Sequence, residues 1–327
     1  MGSHDFLIDS YSSSKYLATE CWQYTAMHIR VRFFGLIVSL ALSVSSARAA
    51  SVVYMVNDNS QFGTLNLATG AFTQIGPATP EGETGLVAGP NGSLLTLTYS
   101  GNLDSINPLT GATTVIGPTG LADCTTPTSP CGPTSASTLG YLDGKIYATD
   151  FQNSLYSVNP VTGAATLIGK TGIPAVPSVP FSMNPDGSFN FYDEGIVGAD
   201  GKLFATFDAA SFNPATSSNT PTIGPELYEI DPSTGRATLI GPTALGLDSM
   251  VELNGKFYAS NGVSNQVMTI DLATGNTTFA GNIDPSAGVV AGAVSLAPEP
   301  GSAALVFSGL VLSGVLLTVR RHGPKKC

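Results

Sequence analysis

Five acids in or beside recurring strand segments, Asp150, Asp193, Glu194, Asp208 and Asp248, could bring chemistry to a substrate. Two carboxyl groups about 5–9.5 Å apart in a cleft serve glycoside hydrolysis, one as proton donor and the other as base or nucleophile. Asp193 and Glu194 follow an aromatic run, Phe189-Asn190-Phe191-Tyr192, and acid beside aromatic suits a sugar platform. The same residues also read as an acidic loop with packed aromatics. Asp150, Asp208 and the Ser260-Asn261 pair occupy equivalent ends of repeated strands, which points to turn-building roles. Carboxylate oxygens of this kind are also Ca²⁺ ligands, the one cation the residues would suit; otherwise no cofactor is expected.

The remaining chemistry is narrow. The three His are His4, His28 and His322, all outside residues 51–297. A Ser-His-Asp or Cys-His site is therefore excluded there, and a transition-metal site is not expected. The same segment has 5 basic residues (Lys145, Lys170, Lys202, Arg236, Lys256) against 19 acidic ones, a net charge of −14. It lacks the clustered Arg and Lys that clamp phosphates or uronates, and nucleic acid is excluded as a partner. Only 11% of all residues are charged and 43% are hydrophobic, enough apolar matter for a sizeable core.

The elements that must position these acids form a repeat. One phrase recurs five times: GTLNLATGAFTQIGP (63–77), LDSINPLTGATTVIGP (103–118), LYSVNPVTGAATLIGK (155–170), LYEIDPSTGRATLIGP (227–242) and VMTIDLATGNTTFAGN (267–282). Its Thr-Gly pairs, starting at Thr69, Thr110, Thr162, Thr234 and Thr274, lie 41, 52, 72 and 40 residues apart. A base period near 40 with insertions marks a repeat array. Each phrase predicts a hairpin. An alternating arm leads to an Asx (Asn66, Asn107, Asn159, Asp231, Asp271) whose side chain bonds the turn backbone. Gly then closes the loop at positive φ. A second hairpin class turns at Asn91-Gly92, Asp143-Gly144, Asp200-Gly201 and Asn254-Gly255.

Two hairpins make four strands, the blade of a β-propeller. The first repeat supplies only three strands, and the lone apolar stretch 288–296 reads as its fourth. The expected fold is all-β, a propeller of five blades closed by pairing the two ends. Six blades is the alternative, because residues 179–193 hold an extra Asp186-Gly187 hairpin; with no Thr-Gly phrase beside it, an insertion is the better reading. The repeat phrase is similar to those of bacterial extracellular propeller proteins, which implies a fold and no activity.

The flanks read as addresses. Arg30 and Arg32, an apolar run over 33–44 and Ala47-Arg48-Ala49 form a signal peptide over residues 27–49. Met27 is the expected start, with 1–26 a non-native extension. Residues 301–319 carry no charge and are long enough for one transmembrane helix, followed by Arg320, Arg321, Lys325 and Lys326. Pro298-Glu299-Pro300, that helix and the basic tail together resemble the PEP-CTERM sorting signal of Gram-negative bacteria. The resemblance covers 298 to about 321. It implies an exosortase-type processing enzyme as partner, a surface or extracellular destination, and association with exopolysaccharide. In an oxidising compartment Cys124 and Cys131 are expected to form a loop-stapling disulfide. Two functions stay open: a non-enzymatic binding or scaffold propeller with a protein or polysaccharide partner, and a carboxylate-based glycoside hydrolase or lyase.

Overall fold

A computed structural model of the chain describes residues 51–295, apart from 80, 90–92, 122–135, 175–183 and 217. The signal peptide, the sorting pattern (Pro298, Glu299, Pro300, Arg320, Arg321), the helix 301–319, Cys124 and Cys131, and the Asn91-Gly92 turn lie outside the described residues. Among the described residues no helix is long and apolar enough to cross a membrane.

The strands are β1 (Val52–Asn57), β2 (Phe62–Asn66) and β3 (Phe72–Gln74), then β4 (Glu83–Ala88), β5 (Leu94–Thr98), β6 (Asn102–Ile106) and β7 (Thr113–Pro118). They continue with β8 (Ala136–Leu142), β9 (Lys145–Asp150), β10 (Ser154–Val158) and β11 (Ala165–Lys170). Next come β12 (Phe189–Ala199), β13 (Lys202–Asn213), β14 (Ser218–Ile230) and β15 (Ala237–Pro242). The last are β16 (Leu247–Leu253), β17 (Lys256–Asn261), β18 (Gln266–Ile270), β19 (Thr277–Asn282) and β20 (Val290–Val294). They form five four-stranded antiparallel sheets, ordered β20-β1-β2-β3, β4 to β7, β8 to β11, β12 to β15 and β16 to β19. These are blades one to five of a propeller. The innermost strands β20, β4, β8, β12 and β16 neighbour one another in a closed circle.

Closure comes where the sequence places it. β20 pairs with β1 through Tyr54↔Val294, Met55↔Ala293, Val56↔Gly292 and Asn57↔Val290. Pairing the chain ends of the domain removes an exposed sheet edge. Apolar clusters fill every space between neighbouring blades. Val56, Phe62, Leu86 and Leu94 join blades one and two, and Val87, Leu97, Leu139 and Ile146 join two and three. Leu142, Leu155, Ile196 and Leu203 join three and four, and Val197, Phe204, Met250 and Ala259 join four and five. Val53, Met55, Val251, Val267 and Val290 join five and one.

The repeated Asx-x-x-Thr-Gly phrase builds the turn expected of it. In all five copies the Asx Oδ1 accepts from the amide two residues on, at 2.8–2.9 Å. The Gly amide donates to the Asx carbonyl, and the Gly holds φ between +69° and +81°. A second constraint acts on the same Gly. A Cβ on Gly70, Gly111, Gly163, Gly235 or Gly275 would run into backbone at Asn282, Ile75, Gly117, Gly169 or Gly241-Pro242, on the outer strand of the preceding blade or just beyond it. Each turn is thus also a blade-to-blade clasp, and the five clasps close a ring. Gly163→Ala is expected to lose about 1–3 kcal/mol of stability from strained φ and lost close approach. A denaturant midpoint equal to that of the parent would contradict this.

Among the described residues the insertion before blade four makes no sixth sheet. Its Asp186-Gly187 turn leads into β12, and β12, β13 and β14 run to 11, 12 and 13 residues. The three strands therefore overhang the ring. The overhang has its own apolar packing, where Phe151 and Phe207 meet the Tyr192 ring edge-on at 5.0 and 4.9 Å.

Candidate functional site: a carboxyl cluster between blades four and five

In β12, Asp193 stands directly opposite Asp208 of β13, so both side chains leave the same face of the sheet, towards blade five. The start of β16 brings Asp248 to them. Close backbone approach makes this geometry: a Cβ on Gly195 would meet Met250 N and Ser249 Cα at 2.9 and 3.0 Å. Thr206 Oγ1 ties the strands, accepting from Gly195 N at 3.0 Å and lying 3.3 Å from Leu247 O. Gly262 leaves the space that the Asp248 carboxyl fills.

The three carboxyls form one cluster: Asp193 is within hydrogen-bonding reach of both Asp208 and Asp248, and Asp208 and Asp248 act on each other through charge. Asp208 is 2% exposed, while Asp193 and Asp248 are half-buried. The Gly246 amide donates to Asp208 Oδ2 at 2.7 Å. Asp193 Oδ2, Asp208 Oδ1 and Asp248 Oδ2 are each enclosed and meet no donor from outside the three carboxyls. Among the described residues no Lys or Arg acts on the group, so burial and like charge oppose ionisation. Desolvation first, then the Asp193 charge, pushes Asp208 up to about 8. Burial foremost raises Asp248 to about 6. Asp193 is also raised well above the carboxylate range, by burial and then by Asp248. At neutral pH the cluster holds protons and can donate as well as accept.

The structure separates the other acids from this group. Glu194 leaves the opposite face of β12, because neighbouring strand residues point to opposite sides. It is buried, and its Oε2 accepts from Tyr192 OH at 2.7 Å. Asp150 is a turn builder, as its position suggests: Oδ1 accepts from Gln152 N and Ser154 N, and Oδ2 from Ser154 Oγ and Tyr156 OH. Asn261 acts likewise, accepting from Ser264 N and donating to Leu245 O. The expectation that Asp208 shares this role is corrected. β13 continues five residues beyond it to Asn213, so no turn follows Asp208 for it to cap.

A second buried acid pair was not singled out in the sequence. Glu83, the first residue of β4, is 1% exposed, and both its oxygens lack a hydrogen-bond donor; desolvation pushes it up to about 7. Asp104 of β6 adds a like charge. A signal existed: Asp104 occupies the place that Tyr156, Tyr228 and Met268 hold in other repeats. Among the described residues no group of three or more His, Cys, Asp or Glu is arranged to hold a metal ion.

No family model matches the chain, and no curated protein matches it. Solved structures of low sequence identity match it over two thirds to three quarters of its length. One is a nidogen/laminin complex, 12% identical over 74% of this chain and 97% of that one, TM-score 0.44. Another is a PQQ-bound aldose sugar dehydrogenase from Streptomyces coelicolor, 11% identical over 75% of this chain and 90% of that one, TM-score 0.38. A third is a glutaminyl cyclase from Myxococcus xanthus, 16% identical over 67% of this chain and 73% of that one, TM-score 0.33. What this chain shares with any fold is read from its own strand pairings: it is an all-β, five-bladed propeller.

Proposed function

We propose that the chain is an exported protein of the cell surface or extracellular matrix whose propeller binds a partner without chemical turnover. The observation that carries the binding reading is the hydrogen-bonding approach of Asp193 to both Asp208 and Asp248. Paired glycosidase acids stand about 5–9.5 Å apart, leaving room for the scissile bond or a water. Asp193 bonds to each of the other two and leaves no such room in either pair, and a cluster that both donates and accepts suits hydrogen bonding to a bound ligand. The rival, a carboxylate-based hydrolase or lyase, needs the cluster to open. The destination rests on the sequence: the signal peptide over 27–49, the resemblance of 298–321 to a sorting signal, and the helix 301–319 as anchor or processed tail.

The destination is tested by intact mass and cell fractionation of the protein made in a host with an exosortase system. The expected product lacks residues 1–49 and the tail after Pro298-Glu299-Pro300, and is found at the surface or in the medium. A precursor retaining its N-terminal segment in the cytoplasm would overturn export. A mature chain keeping its tail in the inner membrane would overturn processing and direct the search to periplasmic partners.

A further inference from the structure

The seam between blades four and five is held in two ways along its length. Towards the Asp200-Gly201 turn it is apolar, with Val197 and Phe204 packed on Met250 and Ala259. Four residues before Val197 in β12, at Asp193, it becomes a group of acids. Asp193 reaches across the seam to Asp248 at the start of β16, and within its own sheet to Asp208. Gly246 N donates across the same seam to Asp208 Oδ2 at 2.7 Å, and Thr206 Oγ1 lies 3.3 Å from Leu247 O. Two carboxyls bond each other only when they share a proton, because an ionised pair offers acceptors and no donor. The charged groups that face the cluster are all acids. β12 supplies Asp193, β13 Asp208 and β16 Asp248, and Asp58, in the turn between β1 and β2, acts on Asp248 through its charge. Asp58 is itself held just before β20, donating from N to Val289 O and accepting from Val289 N on Oδ1, both at 3.0 Å. The remaining partners, Gly246 and Gly262, are backbone amides.

We propose that Asp193, Asp208 and Asp248 form a proton latch: their shared protons hold β12 to the start of β16, and loss of those protons opens this end of the seam while the apolar end stays shut. The latch stands whether or not a ligand meets the cluster. Full ionisation puts three like charges in one enclosure, with Asp58 adding a fourth. Separation of the strands and entry of water relieve that repulsion, because water donates to the freed oxygens and screens the charges. The opening is confined by the other ties between the two blades. The apolar cluster holds the far end, and at the outer edge Gly275 of blade five stays packed on Gly241 and Pro242 of blade four. The direction follows from the protons bound. Burial foremost raises Asp248 to about 6 and Asp208 to about 8, so the latch is closed below this interval and opens as pH rises through it. The Glu83 and Asp104 pair lies within blade two, so its titration is separate from the seam.

The test is hydrogen–deuterium exchange of the full-length protein at about pH 5 and about pH 9 in EDTA, with exchange times scaled for the faster chemical exchange at high pH. After scaling, peptides over Asp193–Gly195 and Gly246–Ser249 are expected to exchange at least tenfold faster at the higher pH. Peptides over β9 and β10 in blade three are expected to match at the two pH values. Asp193→Asn supplies a side-chain amide that donates to its neighbours without a shared proton, and its seam should stay protected at the higher pH. Asp193→Ala removes the bridging group, and its seam should exchange fast at both. Equal protection of the parent seam at the two pH values would overturn the latch, as would loss of protection in every blade together. Opening that persists in Asp193→Asn would overturn it too, because protons elsewhere would then be responsible. Faster exchange confined to blade two would assign the pH response to Glu83 and contradict the latch.

Discussion

Val290→Asp is expected to cost at least about 3 kcal/mol of stability, the scale of an unpaired charge placed in a core. Val290 is 1% exposed. It opens β20, pairs with Asn57, and packs among Val53, Met55 and Val267 where blade five meets blade one. Ring closure depends on that short strand of 5 residues, so the variant attacks the one sheet whose strands come from both ends of the domain. Val52→Asp in the same blade is the matched control. Val52 is 44% exposed, and its substitution should stay within about 0.5 kcal/mol. Chemical denaturation of the two variants beside the parent decides the matter. Equal midpoints for Val290→Asp and Val52→Asp would contradict closure through β20.

The second large effect is a fall in stability as pH rises from about 5 to 8. Glu83, Asp208 and Asp248, raised to about 7, 8 and 6, keep their protons in the fold and lose them near pH 4 in the unfolded chain. Over the interval between, the folded state binds more protons, so stability falls by up to about 1.4 kcal/mol per pH unit for each group. A loss of at least about 2 kcal/mol between pH 5 and pH 8 is expected. The turn-capping acids act the other way at lower pH. Hydrogen bonds from Ser233, Ala273 and Ser286 hold Asp231, Asp271 and Asp284 below the usual carboxylate range, so their help is lost as pH falls through those lowered values. Stability should therefore peak near pH 4–5. Asp208→Asn keeps the Gly246 bond and removes one proton-linked cost. It should raise stability by about 1–3 kcal/mol at pH 8 and change it little at pH 5. A parent protein that gains stability between pH 5 and 8 would sink this account.

The ring was legible in the sequence because its determinants are local. Asx, Thr and Gly at fixed offsets dictate the outer turn, and Asp-Gly or Asn-Gly the inner one, so blade number follows from counting phrases. Residues 288–296 could be assigned to blade one because the first repeat lacked a strand. The clasp role of Gly163 and its equivalents was hidden, since a positive φ already accounted for each glycine. The carboxyl cluster was visible only as separate members. Asp193, Asp208 and Asp248 were all candidates, but their meeting depends on a register across β12 and β13 and on a glycine, Gly195, that lets β16 approach. The Asp193-Glu194 dipeptide suggested a pair, yet the pleat sends the two to different blades. Asp208 looked like Asp150 because both close a Lys-led strand with Ala-Thr before the acid; it lies one residue further along, on the opposite face, in a strand that continues past it.

The central claim is that the carboxyl cluster serves binding and not bond cleavage. It is tested most directly by incubating the full-length protein with extracellular polysaccharide from the producing cells and measuring retention and new reducing ends in the same sample. The account predicts retention with no rise in reducing ends over the protein-free control. Release of reducing ends that disappears with Asp193→Asn or Asp248→Asn would contradict it and make the cluster a hydrolytic site.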